Sequence, residues 1–182
     1  MSNLRIAELR EGRAFIMGSP RDLGRLEMVV RRPAVDEREV ATEARIDPGS
    51  GLVGDSWSSR RNPSLDAEVT LMNARCVALL AGDLDRWPLA GDQLYVDLDL
   101  SESNLPVGSR LRIGSVLLEV SPKPHRGCKK FAARFGDDAL GFVNSEEGRA
   151  ARLRGLNARV VTGGSVRDGD LVTKVAAGGG IA

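Results

Sequence analysis

Between Ser121 and Gly136 the chain carries Lys123, Arg126, Lys129, Lys130 and Arg134, and neither Asp nor Glu. Cys128 lies in the middle of this run, immediately before a segment with helical spacing. Cationic neighbours and the positive end of a helix dipole both favour a thiolate over a thiol. A thiolate is the form that attacks sulfur or ligates a metal. Pro122, Pro124 and Gly127 predict a loop, which would leave Cys128 accessible. The same residues also fit a structural cysteine beside a solvated basic face, and spacing alone leaves both readings open.

The other candidates are weaker. Cys76 falls on the apolar side of a predicted helix and is expected to be a small buried hydrophobe. His125, the only histidine, forms an HxxC pair with Cys128, but two ligands do not close a zinc site. It could assist proton transfer or bind phosphate; the default expectation is an exposed loop histidine. Asp83, Asp85, Asp92, Asp97, Asp99 and Glu102 are accompanied only by Arg86. A Mg²⁺ site is conceivable there, but the expectation is a solvated acidic face. Gly51-Leu52-Val53-Gly54-Asp55 is a Gly-rich turn followed by Arg60 and Arg61. Its amides could form an anion-binding nest.

Such residues need elements to hold them. Leu4–Met17 is expected to contain a first strand, followed by strands over Leu26–Arg31, Glu39–Ile46 and Ala67–Met72. Asn73 is placed to cap a helix whose buried face takes Cys76, Leu79 and Leu80. Leu94–Leu100 alternates as a half-buried strand does. Arg110–Ile113 and Val116–Val120 flank Gly114-Ser115, a hairpin signal. Lys129–Phe135 predicts a helix, with Gly136 in the left-handed terminal position. A second helix is expected to open at Asn144, with Glu147 completing a capping box, and to run to about Leu153. Strands over Ala158–Thr162 and Leu171–Val175 close the chain. The pattern is mostly β, a closed barrel or sandwich with a few short helices. One domain is expected over 1–182, with its core at about 12–175 and a flexible tail at 176–182.

Bulk composition sets limits. The formal net charge of +1 and 4% aromatic content argue against a nucleic-acid binder. No apolar run approaches bilayer length, so no membrane partner is expected. Two cysteines make no disulfide framework, and cytoplasmic residence with reduced thiols is the expectation.

Several fragments, in order, resemble one family. Gly51–Asp55 resembles the GD turn of MOSC domains, named after the C-terminal part of molybdenum cofactor sulfurases. Gly91-Asp92-Gln93-Leu94 stands where they carry a G-E-N-L turn. Leu105–Gly114 with Leu117–Val120 resembles their "lp-vG-rl-iG-a-LEV" double strand. Pro124–Cys128 falls at the family cysteine. Arg154–Val160, Gly163-Gly164 and Gly169-Asp170 resemble the closing "RG-ARV–GG–v–GD". The likeness runs from about Gly12 to Val175. Ser56-Trp57, Asp92-Gln93 and Arg126-Gly127 depart from the family pattern.

The resemblance implies a β-barrel of complex topology, of the stand-alone bacterial type. It implies a sulfur carrier or a protein that binds molybdenum through the anionic, phosphate-bearing molybdopterin. Cys128 would be its catalytic cysteine, carrying a persulfide or acting as the metal-site thiolate. Arg126, Lys129, Lys130, His125, Gly54, Asp55, Arg60 and Arg61 are the expected cofactor-binding residues. Such a protein would be a sulfur transferase or a component of a molybdenum-dependent oxidoreductase. Its expected partners are a cysteine desulfurase or sulfurase, the only route by which pyridoxal phosphate would enter, or a redox protein. Its ligand would be an anionic pterin or a small-molecule substrate. Two alternatives are a reductase of N-hydroxylated compounds and a non-catalytic module that binds an anion or a protein.

Overall fold

The computed structural model describes residues 3–176. The expected tail at 176–182 therefore lies, apart from Ala176, outside the described residues. Seven strands close into a barrel: β1 (Leu23–Arg31), β5 (Val69–Asn73), β6 (Leu94–Asp97), β7 (Arg110–Ile113), β8 (Val116–Val120), β9 (Leu156–Thr162) and β11 (Leu171–Val175). The order is β11-β7-β8-β9-β5-β6-β1, and β1 pairs back onto β11 to complete the ring. Closure satisfies the backbone groups that an open edge would leave unpaired. All neighbours run antiparallel except β5 and β6. β2 (Glu39–Ala41) extends β1, while β3 (Glu43–Asp47), β4 (Gly51–Leu52) and β10 (Gly164–Arg167) form a separate small sheet.

The barrel interior is filled by aliphatic side chains such as Leu26, Val29, Leu71, Val96, Leu111 and Leu118. A second apolar cluster lies outside the barrel wall, where Met28, Val30, Met72 and Tyr95 meet helical residues. β1 serves both. Its register against β6 shifts between Leu26 and Met28, so Leu26 and Val29, three residues apart, both face the interior. β6 is likewise buried on both faces at Tyr95 and Val96, so the half-buried reading of this strand holds only from Asp97 onward.

The helices that make this second layer are α1 (Ile6–Glu11), α2 (Arg13–Met17), α3 (Ala74–Ala81), α4 (Lys129–Phe135), α5 (Asp137–Asn144) and α6 (Glu146–Ala150). The first two replace the strand expected over Leu4–Met17. Leu9 and Ile16, seven apart, are buried in the same outer cluster, a helical spacing that packing turned into two short helices. Gly12 joins them because an added Cβ would stand 2.5 Å from Leu79. The strand expected over Glu39–Ile46 is broken at Thr42 into β2 and β3. Asn73 caps α3 as expected, its side chain accepting from the Cys76 amide at 2.9 Å. The β7–β8 hairpin turns at Gly114, where φ is +53°.

Around Cys128, α4 spans the expected residues, but Gly136 has φ +92° and ψ 164°, positive in φ yet extended and not left-handed helical. Asn144 does not open a helix; it ends α5, and Ser145 caps α6 by accepting from Gly148 N at 3.0 Å. Asn144 Oδ1 and Nδ2 are instead paired with the backbone N–H and C=O of Gly127, both at 3.0 Å. The α5 signal was present in the sequence: Asp137 and Asp138 in the first turn, then buried Ala139, Phe142 and Val143 at i, i+3, i+4.

Candidate functional site

Cys128 is a free, exposed thiol at the position preceding α4. Its loop is fixed from behind by Asn144, and Gly127 packs closely there, a Cβ at that position standing 2.7 Å from the Leu140 side chain. Partial burial pushes the thiol pKa up. The amides of Phe131 and Lys130, and then the charges of Arg154 and Arg134, outweigh it, so the pKa lies below the ordinary cysteine value. The amides act without closing a side-chain hydrogen bond to the sulfur. Arg134, in the last turn of α4, belongs to the basic run already noted, whereas Arg154, in the segment leading into β9, was not foreseen as a neighbour of Cys128.

Beneath this loop is a buried polar group. His125 is not an exposed loop residue: its side chain is 17% exposed, and Nε2 stands 2.9 Å from Asp92 Oδ1. The contact is off the line of a normal hydrogen bond, because neither atom has a properly directed partner. Asp92, expected on a solvated acidic face, is fully buried and pairs with Arg154 at 2.5 Å. Arg154 also donates to Ala90 O at 2.9 Å and lies over the Phe131 ring at 5.0 Å. Burial pushes the Asp92 carboxyl up, but Arg154 first and His125 second bring its pKa down to about 2. Burial, reinforced by Arg154, lowers the His125 pKa, so the ring is neutral at pH 7. The sequence signal for Asp92 was its place in a Gly-Asp-Gln turn and not on a strand. Among the described residues no three His, Cys, Asp or Glu side chains gather as metal ligands.

Two separate pockets flank this group. One, of about 540 Å³, is lined by Arg32, Arg38, Arg60 and Lys130, with Ser56, Ser59 and Gly91, and holds one acid, Asp36. The other, of about 390 Å³, takes His125 and Arg126 together with Lys123, Arg149, Arg152 and Arg154. The residues expected to bind one ligand are thus divided. Arg60 and Lys130 share the first pocket, His125 and Arg126 the second. Lys129, Arg61 and Gly54 are exposed and line neither. Asp55 is buried and accepts from Arg32 Nε at 2.7 Å and Nη2 at 2.9 Å. The amides of Val53, Asp55, Ser56 and Trp57 donate inside the protein, so the Gly-rich turn meets a ligand through the side chains after it and not as an amide nest. Arg32 and Arg38 come from the loop between β1 and β2, and no local pattern marked them.

The barrel, the turn at Gly91-Asp92 and the cysteine before α4 are features of one class of β-barrel. Residues 83–173, half of the 182, match the MOSC domain, and the chain belongs to that family. Solved structures with this fold include a hypothetical protein (TM-score 0.60, 20% identity, covering 84% of this chain and 68% of that one). YuaD from Bacillus subtilis aligns with TM-score 0.56 and 17% identity over 82% of this chain and 94% of its own. YiiM from Escherichia coli aligns with TM-score 0.57 and 20% identity over 84% and 70%. At these identities the likeness is one of fold. No curated protein matches the chain. Among the described residues no helix is long and apolar enough to cross a membrane.

Proposed function

We propose that the chain binds the molybdenum cofactor beside Cys128 and that the Cys128 thiolate is its sulfur ligand. MOSC domains are linked to this cofactor and to sulfur handling; the assignment to these residues is the proposal. The observation that carries it is the convergence of Arg32, Arg38, Arg60 and Lys130 on an open pocket, two residues along α4 from an exposed thiol of lowered pKa.

The residues fit the group. A Cβ on Gly91 would lie 3.8 Å from both Arg134 Nη1 and Arg38 Nη2, so the missing side chain leaves the space before two guanidinium groups open. Arg60 is exposed and makes no ion pair among the described residues. Guanidinium and ammonium groups suit a pterin phosphate, and a thiolate suits a soft metal. When bound, the cofactor supplies a metal able to exchange electrons and oxygen or sulfur atoms. The protein's own part is to hold the anion through Arg60 and Lys130. Asp55 clamps Arg32 in place, and the amides of Phe131 and Lys130, with Arg154 and Arg134, lower the thiol's pKa.

A second reading, sulfur carriage, is favoured by the exposure of Cys128, which lines neither pocket. Its thiolate would attack the outer sulfur of a desulfurase persulfide. A new S–S bond forms to Cys128, the old S–S bond breaks, and the desulfurase cysteine leaves as thiolate, with no net oxidation.

The test pairs molybdenum content of the purified protein and molybdopterin titration with intact mass after incubation with a cysteine desulfurase. Cys128→Ser should lose metal retention or sulfur loading while keeping the fold. Arg60→Gln with Lys130→Gln should weaken cofactor binding about tenfold or more, less so at high salt. Stoichiometric molybdenum favours the ligand role and the reductase chemistry that could follow. A metal-free protein with a labile sulfur favours carriage. If neither variant changes either quantity, Cys128 is a bystander and the chain is a binding module.

A further inference from the structure

The pocket that holds Arg126 is walled off from the one that holds Arg60. They share no lining residue, and the Gly91–Asp92 turn divides them: Gly91 lines one, while Asp92 grips Arg154 and faces His125, which line the other. Cys128 lines neither.

The second pocket has excess positive charge. Lys123 and Arg126 are exposed at its rim, and neither side chain makes a hydrogen bond or ion pair among the described residues. Arg149 donates to the carbonyl of Asn144, and Arg152 to those of Leu100 and Leu105, so both guanidinium charges are held in place without a carboxylate partner. Against these four stand two lining acids, Glu102 and Glu146.

Two further observations point inward. Arg154 is 9% exposed at its side chain and lines the pocket, and although Asp92 and Ala90 O occupy its two terminal nitrogens, Nε is buried without a partner. A buried donor left unpaired is costly, and a ligand atom is one way to satisfy it. Arg152 holds φ at +48°, a region that non-glycine residues rarely occupy. Its guanidinium donates to the carbonyls of Leu100 and Leu105, and backbone strain of this kind gathers at ligand sites.

We infer that this pocket is a second binding site, separate from the proposed cofactor pocket, for a small molecule bearing a phosphate or carboxylate group. Arg126 and Lys123 capture the anion at the rim, Arg149 and Arg152 flank it, and Arg154 adds a fixed positive charge at the wall. The inference does not depend on the role of Cys128.

The experiment is an amide NMR titration of the full chain with sodium phosphate and, in a parallel arm, sodium succinate, both at fixed ionic strength. Saturable shifts are expected at residues 123, 125, 126 and 149–155, and the arm that saturates at lower concentration identifies the anionic group. Lys123→Gln with Arg126→Gln should weaken that binding about tenfold, since two charge-assisted contacts are lost, and should leave molybdopterin titration unchanged. These side chains are exposed and unpaired, so the variant folds. Arg60→Gln with Lys130→Gln should leave the phosphate and succinate shifts at 123, 125, 126 and 149–155 unchanged. The inference is overturned if neither anion gives saturable shifts, if the shifts fall only at residues 56–60 and 130, or if the Lys123/Arg126 variant binds as the parent does.

Discussion

Cys76 and Cys128 both sit at the start of a helix, and both feel the charge of Arg154. Their chemistry is opposite. Cys76 is fully buried among the residues between barrel and helices, and its thiol donates to Leu153 O at 3.1 Å. Burial pushes its pKa up to about 12, and Arg154 cannot offset that. At Cys128 the burial is slight, and two amides, aided by the same guanidinium and Arg134, prevail. A nearby cation therefore does not make a cysteine reactive. Access to water decides whether the charge of the thiolate can be borne at all.

The largest effect that could break this contrast is in thiol reactivity. With iodoacetamide at pH 7, Cys128 should be alkylated faster than Cys76 by a factor on the order of 1,000 or more, because the thiolate fraction scales with pKa and access. Peptide mass spectrometry of timed samples measures it. Comparable rates at the two sites, or a faster Cys76, would refute both assignments.

A smaller but broader effect is expected when the shared charge is removed. Arg154→Met leaves Asp92 buried without its cation and should cost about 3–5 kcal/mol in urea unfolding at pH 7. The sign of its pH dependence follows from Asp92. A carboxyl whose folded pKa is depressed to about 2 contributes stability that is fully present above its unfolded value of about 4, and loses it as pH falls through 2. In the variant the same carboxyl is destabilising while charged and is relieved by protonation. The gap between parent and variant should therefore narrow as pH falls from 7 toward 3. In the same variant the Cys128 thiol should titrate at a higher pH. A gap that widens in acid would show that Asp92 is not the partner.

The smallest effect tests how the exposed site is held. Asn144→Ala removes both hydrogen bonds to Gly127 and should cost about 1 kcal/mol. The Gly127 amide should then exchange with solvent markedly faster, while Cys76 stays unreactive. An unchanged exchange rate would mean that packing against Leu140 and Val143, not the amide pair, anchors the loop.

How much of this was legible in the residue order depended on the range of the interaction. Asn73 capping α3, the Gly114-Ser115 hairpin and α4 over Lys129–Phe135 rest on contacts within about four residues, and the chain spells them out. The acid-free run around Cys128, its exposure and the family fragments were equally local. The N-terminal helices misled because their buried positions, Leu9 and Ile16, acquire meaning only against Leu79 and its neighbours in the outer cluster. The capping asparagine expected at Asn144 was claimed by Gly127, seventeen residues away.

By itself, then, the sequence determined the mostly-β barrel, the reactive cysteine candidate and the sign of the charge around it, because patterning and loop chemistry act over short spans. Tertiary structure alone decided that Asp92 is buried with His125 half-buried against it, that Arg154 serves two cysteines, and that the basic residues divide between two pockets. Each of those outcomes joins segments some thirty to a hundred residues apart, as in Asp92 with Arg154 across 62 positions and Arg134 with Asp36 across 98. Barrel closure brings such segments together, and the cost of burying an unpaired charge fixes which of them pair.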